Sequence, residues 1–254
     1  MSTLLVDDEH DIRRISFNRP EQLNALHRDD VRAATDAVNG LPPTAEALVF
    51  TGGGERAFSG GVHIGSFAGL GPSTAHQLIT ELAALLPAVC RAAVPTVAVV
   101  RGYCIGGAFE LALACDLRIA ADDASFGLPE IKVGIPSVID AALLPQYVGL
   151  ALAKEMILTG NLYGAAEMER RGLLNVMTSP EGLDAAAEAM LERVSGHSRT
   201  AMAAQKRLFE LWQNVGLGEG IDGSIEEFAA VFAGQETADR VDAYRRQRAQ
   251  RHKH

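Results

Sequence analysis

Residues 96–120 read TVAVVRGYCIGGAFELALACDLRIA. The opening Thr96–Val100 (TVAVV) is a short β-branched, apolar run of the kind that forms a buried strand. A glycine-marked turn follows, then an apolar stretch long enough for two helical turns (107–115), then a second short run at 116–120. Strand, turn, helix and strand packed into so few residues imply α/β layering with parallel strands. The pattern extends upstream. Ala47–Thr51 (ALVFT) is another buried strand, bounded by Leu41-Pro42-Pro43 and Gly52-Gly53-Gly54. Between the two strands, Leu78, Leu82, Leu85, Leu86 and Val89 form one stripe of a helix predicted from Ser73 to Arg91, with Ser73 as its N-cap. Further upstream, 12–17 (IRRISF) reads as a strand stopped by Asn18-Arg19-Pro20, and a helix is expected from His27 to Asn39.

Downstream, Gly127–Pro136 is a Pro/Gly-rich loop, and from about Asp184 the strand signals stop. Ala-rich helices are expected at 184–195, 199–213, 221–233 and 236–248, broken at Ser195-Gly196 and Gly216–Gly220. Two domains follow, an α/β body over 1–195 and a helical module over 196–254. The last fifteen residues carry six Lys/Arg and one acid, a pattern read as a solvated helix end and frayed tail.

The whole chain has 254 residues, 48% of them hydrophobic, and 32 acids against 23 Lys/Arg for a net charge of −9. That balance argues against a nucleic-acid or anionic-membrane partner, so an anionic ligand must be met by local features. The N-terminus lacks a basic-then-apolar leader, and no uncharged apolar run approaches the roughly 18 residues of a membrane span, so a soluble cytoplasmic protein is expected. Cys90, Cys104 and Cys115 sit among apolar neighbours without metal-ligand spacing and are read as reduced packing residues.

Glu110 is the one formal charge in residues 102–115. Its helical neighbours three and four positions away are Gly106, Gly107, Leu113 and Ala114, none of which can pair with it. Either another element supplies a partner or the carboxyl is kept for proton transfer, since desolvation raises its pKa. Gly106-Gly107 opens the same helix, where free N–H groups can meet an anion or a polarised carbonyl; a tight turn packed on glycine is the alternative. The glycine loop TGGGERAFSGGVHIG (51–65) fits neither the phosphate-loop nor the dinucleotide pattern, and Ser59 and His63 lack the context of a nucleophile. Glu130, in SFGLPEIKVGIP, is either a solvated loop residue facing Lys132 or a second working carboxylate. Two carboxylates beside helix-start donors would be machinery for chemistry at an acyl carbonyl.

NRPEQLNAL (18–26), TGGGERAFSGGVHI (51–64) and GYCIGGAFELALACDLRIAADDASFGLPE (102–130) together resemble the enoyl-CoA hydratase/isomerase (crotonase) family. The resemblance implies a spiral of ββα turns, a C-terminal helical trimerisation module, and a homotrimer or homohexamer. It also implies an acyl-CoA hydratase or dehydratase of fatty-acid metabolism, a lyase acting on a 2-enoyl thioester. In that reading Glu110 and Glu130 are catalytic, and the backbone N–H groups of Val62 and Gly107 form the oxyanion hole. Ala25, Leu26, His63, Ile64 and Gly106 contact coenzyme A, which is part of the substrate; no metal or prosthetic cofactor is called for. An isomerase, another lyase or hydrolase of the family, and a noncatalytic CoA-binding or assembly subunit are the alternatives. Three departures stand out: Ser137-Val138-Ile139-Asp140 replaces a glycine-rich run, His63 stands where Asp is common, and Val62 where Ala is usual. Arg245, Arg246 and Arg248 are expected to meet CoA phosphates across a subunit contact.

Overall fold

The computed structural model describes residues 3–251, which fall into two compact units. One holds the chain up to Cys90 together with Pro95–Ser195; the other holds Arg91–Val94 and the chain from Gly196. Of the basic last fifteen residues, those up to Arg251 are helical and the final three lie outside the described residues.

The first unit opens with a hairpin, β1 (Leu4–Glu9) against β2 (Ile12–Phe17), closed by His10 and Asp11 with φ of 51° and 61°. Positive φ at both turn residues matches the twist of the flanking strands. β1 escapes the sequence reading because Asp7, Asp8 and Glu9 erase any apolar alternation. Then come α1 (Arg28–Asn39), β3 (Ala47–Gly52), β4 (Ala57–Ser59), α2 (Pro72–Ala83) and α3 (Leu85–Arg91). The helix expected from Ser73 to Arg91 is thus two helices. Pro72 occupies the first helical turn after Gly71, displacing Ser73 from the cap, and Pro87 has no N–H to return to Ala83.

Next are β5 (Thr96–Val100), β6 (Tyr103–Ile105), α4 (Gly107–Ala114), β7 (Leu117–Ala121) and β8 (Ser125–Gly127). α5 (Leu144–Val148), α6 (Leu150–Thr159), β9 (Tyr163–Gly164), α7 (Ala165–Arg170), β10 (Val176–Thr178) and α8 (Leu183–Val194) complete the unit. The strands form a six-stranded sheet, β1-β2-β3-β5-β7-β10, and a four-stranded sheet, β4-β6-β8-β9. Apart from β1 and β9, neighbours are parallel. From β3 onward the chain repeatedly lays a strand in the large sheet and the next in the small one, with helices closing the turns.

The central strands β3 and β5 are buried on both faces, as parallel strands covered on each side must be. On one face Ile12, Ala47, Val49, Val97, Val99 and Ile119 pack with Leu183, Ala187, Met190 and Leu191, the apolar stripe of α8. On the other, Phe17 stacks with Phe50 and meets Phe58 edge-on, with centroids 6.5 and 5.9 Å apart. Buried Arg118 donates to the carbonyls of Leu173, Ala112 and Cys115 and lies over the Tyr147 ring, satisfying backbone acceptors at the end of α4. Cys104 and Cys115 are buried as expected, whereas Cys90 is half-buried with Sγ against the Ala114 carbonyl.

The second unit contains α9 (Arg199–Asn214), α10 (Leu217–Ala230) and α11 (Gln235–Arg251). Ser198 caps α9 by accepting from the Ala201 N–H. α10 starts four residues before the expected 221 because its glycines serve helix contact rather than breakage. A Cβ on Gly220 would lie 3.1 Å from Trp212 Cδ1, and one on Gly223 would lie 2.5 Å from Leu211 Cδ2. Among the described residues, no helix is long and apolar enough to cross a membrane.

Candidate active site

Three short parallel strands organise the site. β6 lies between β4 and β8, and each leads at its C-terminal end into one of the motifs singled out from sequence. After β4, Gly61 turns with φ +81°, and a Cβ there would strike the Ile105 carbonyl at 2.6 Å; only glycine permits this approach. After β6, Gly106 turns with φ +59° and lies against Gly61, while its N–H donates to the Gly127 carbonyl at the end of β8. Ser59 is buried and accepts the Gly61 N–H, a structural use of its hydroxyl.

The two expected backbone donors adjoin. A Cβ on Gly107 would lie 3.2 Å from Val62 Cγ2. Gly107 is the first residue of α4, so its N–H has no acceptor within the helix. Val62 forms a parallel bridge with Leu26 in which Leu26 donates to Gly61 O at 2.8 Å and accepts from the His63 N–H at 2.9 Å. Bonds to the flanking residues leave the Val62 N–H facing away from Leu26.

Glu110 sits in the first turn of α4 and is 4% exposed. The partner absent from its own helix comes from the loop after Pro136, as the backbone N–H of Val138. Burial above all, then the charges of Glu130 and Asp140, push its pKa up to about 8 against the opposing pull of that N–H. Glu130 lies in the short 3₁₀ helix Pro129–Val133. Its bonded side-chain partner is Ser137, whose hydroxyl donates to Oε2 at 2.9 Å, and not the Lys132 of the solvated-loop alternative. Burial raises the Glu130 pKa, while its own backbone N–H and the Ser137 hydroxyl lower it.

The two glutamates line one cavity of about 310 Å³ in company with Leu26, Val62, Ile64 and Gly107. Its remaining wall is largely aliphatic, including Leu82, Leu86, Ile135 and Ile139. Gly106 does not line the cavity but lies beneath Glu130, where a Cβ would come within 2.7 Å of Oε1. Ala25 is half-buried beside Leu26 and also stands off the cavity wall. His63 is turned away to stack on His27, with centroids 4.3 Å apart. His27, read in the sequence only as a helix start, is this stacking partner; burial, then the nearby Arg19 and His63, lower its pKa. Asn24 was also missed. Buried with φ +54°, it donates to Gly53 O and Ala57 O and accepts the Arg19 N–H, holding the 18–26 segment against the first glycine loop. The readable signal is an Asn that tolerates left-handed backbone while bonding backbone groups.

The sequence matches the enoyl-CoA hydratase/isomerase family over residues 7–254. The chain belongs to this family. Among curated family members it is 33% identical to a probable enoyl-CoA hydratase of Mycobacterium tuberculosis, covering 99% of this chain and 98% of that one. It is 31% identical to the crotonyl-CoA hydratase of Syntrophomonas wolfei, over 95% and 94% of the two chains. The crystal structure of an enoyl-CoA hydratase from Bacillus anthracis superposes with a TM-score of 0.90 at 25% identity, covering 97% of each chain. The crotonase-type α/β fold with C-terminal helices is therefore present in this family member. Among the described residues no group of three or more His, Cys, Asp or Glu is placed to hold a metal ion.

Proposed function

We propose that this chain is an enoyl-CoA hydratase, adding water reversibly across the double bond of a 2-enoyl-CoA thioester. The observation that carries the reading is that Glu110 and Glu130 line the same cavity as Val62 and Gly107. The N–H groups of those two residues receive the thioester oxygen and stabilise the negative charge that develops there as water attacks the β-carbon. Two close buried carboxyls resist double ionisation, so near neutral pH the pair retains a proton, chiefly on Glu110. A pair with one proton can take a proton from water and return one to the α-carbon; the pair's net protonation is then unchanged, and passage of the proton from one carboxyl to the other restores the starting state.

Leu26 and Ile64 lead from the cavity, with Ala25, His63 and Gly106 beside them, toward the CoA portion. CoA is then part of the substrate, and the chemistry calls for no metal or prosthetic group. The exposed Phe209, Trp212, Leu217, Ile225, Phe228 and Phe232 of the second unit support association with further copies as a homotrimer or homohexamer. Three free cysteines support a reducing, cytoplasmic setting.

Incubation with a short 2-enoyl-CoA tests the reading. Loss of the conjugated thioester absorbance with formation of the 3-hydroxyacyl product is expected. Failure to hydrate any 2-enoyl-CoA, with appearance of that absorbance from a 3-enoyl-CoA, would replace hydratase by isomerase.

A further inference from the structure

The cavity has two linings of different chemistry. Val62, Gly107, Glu110 and Glu130, all placed after β4, β6 and β8, bring its polar groups. Val31 of α1, Ile79 and Leu82 of α2 and Leu86 of α3 make an aliphatic wall, which Ile139 joins from the loop after Pro136. Ile79 and Leu82 lie one turn apart on α2, and Leu86 continues their row past the break between the two helices. Leu82 and Leu86 are 8% and 3% exposed, so the wall is packed into the core rather than free to move. Its outer side is clamped. Glu81, next to Leu82 and off the cavity, accepts from Arg28 of α1 at 2.8 and 2.5 Å and from Arg32 at 3.0 Å, which ties α2 to α1.

The wall offers a polar substituent no partner among the described residues. Of those that line the cavity, Ser137 has the one alcohol, already bonded to Glu130 Oε2. Lys132 is the one cation of that lining, and its stem lies along Gly160 at the end of α6, where a Cβ would come 3.1 Å from Lys132 Cε. A methylene is about the size of a water, roughly 30 Å³, so a cavity of about 310 Å³ takes about ten such groups. The thioester sulfur, the carbonyl and the α- and β-carbons fill about half of that. A crotonyl group adds a single methyl and leaves most of the aliphatic wall bare. We propose that this wall is the acyl site and sets the substrate class: 2-enoyl-CoA thioesters with apolar chains of about six to eight carbons, preferred over crotonyl-CoA, with Leu82 limiting their length. Each methylene moved from water onto the wall favours binding about fourfold, whereas an ionised or hydroxylated chain end is desolvated there without a partner.

This assignment rests on the hydratase reading for its kinetics, and the binding of saturated thioesters does not. With the full-length enzyme, kcat/KM for hydration is expected to rise at least about tenfold from the four-carbon to the eight-carbon 2-enoyl-CoA, and to fall at least about tenfold when the chain ends in a carboxylate. Leu82→Phe, which fills the wall, is expected to lower the eight-to-four-carbon ratio at least about tenfold, and Leu82→Ala to move the best substrate to a longer chain. Efficiency that is flat or falls from four to eight carbons, a preference for the carboxylated chain, or a ratio that neither folded Leu82 variant moves overturns the proposal. Independently of turnover and of the variants, calorimetry on wild type is expected to show octanoyl-CoA binding at least about tenfold more tightly than butanoyl-CoA. Equal affinities overturn the acyl site even where crotonyl-CoA is hydrated. If wild type hydrates no 2-enoyl-CoA while octanoyl-CoA binds the more tightly, the hydratase reading fails and the acyl site stands.

Discussion

Replacing Glu110 with Gln separates the energetic cost of a buried carboxyl from its chemical use. Glu110 is 4% exposed, and burial, followed by the charges of Glu130 and Asp140, raises its pKa from 4.5 to about 8. In the unfolded chain the same group ionises near its ordinary value. Between pH 4.5 and about 8 the unfolded state has therefore released a proton that the folded state keeps. Folding loses stability as pH rises through that window, and the full favourable contribution is present only below it. At about 1.36 kcal/mol per unit of pKa difference, the loss by pH 8 is roughly 4 to 5 kcal/mol. Gln has the shape of the protonated acid and offers the Val138 N–H an oxygen, so the substitution removes the titration without opening a cavity. Denaturant unfolding at one fixed protein concentration, at pH 4.5 and pH 8, measures the effect. The two proteins are expected to have nearly equal midpoints at pH 4.5, whereas at pH 8 the variant is the more stable by several kcal/mol with an unchanged m-value. A wild-type-to-variant difference that does not change between the two pH values, or one that favours wild type at pH 8, would refute burial as what keeps this proton in place.

Glu110→Gln and Glu130→Gln are each expected to cut hydration turnover at least about 10²-fold while circular dichroism and oligomer size stay as in wild type; near-wild-type turnover removes that residue from the mechanism. Gly106→Ala places a Cβ 2.7 Å from Glu130 Oε1 at a backbone φ of +59°. The end of the glutamate side chain can yield but the backbone conformation is strained for alanine, so the variant is expected to fold, about 1 to 3 kcal/mol less stable, and to lose at least about 10²-fold in kcat, as steady-state kinetics would show. Arg118→Leu leaves the Leu173, Ala112 and Cys115 carbonyls without their donor. A loss of at least about 2 kcal/mol is expected from unfolding curves, and an unchanged stability would mean that water replaces the guanidinium.

The central strands of the large sheet were readable because ALVFT and TVAVV are buried on both faces and IRRISF on one, and all three are punctuated by glycine or proline; the edge strands β1 and β10 were not. The small sheet was not. β4, β6 and β8 are three residues each, too short for any period, and in the sequence they read only as parts of loops. Glu110 was conspicuous because a single charge in an apolar helix demands a reason. Glu130 gave a weaker signal, since a loop glutamate has no such demand until the fold buries it. What local sequence could not supply was the donor to each carboxyl. Ser137 and Val138 reach the glutamates through a backbone path that includes an isoleucine in a left-handed conformation, which no propensity argument anticipates.

The unread small sheet is nevertheless what assembles the site. In parallel pairing, neighbouring strands end on the same side, so whatever follows β4, β6 and β8 is delivered to one place. Val62 comes three residues after β4, Gly107 two after β6, and Glu130 three after β8. Glu110 follows one helical turn beyond Gly107, on the same element. Four groups spread over nearly seventy residues of sequence are thereby brought together by the register of three very short strands, and the register itself is guarded by Gly61 and Gly106, whose missing side chains let the turns touch. A substitution that separates those turns would therefore part the two N–H donors and displace Glu130 in a single step, whereas a comparable defect in the large sheet would cost stability first and leave the geometry of the surviving folded molecules intact.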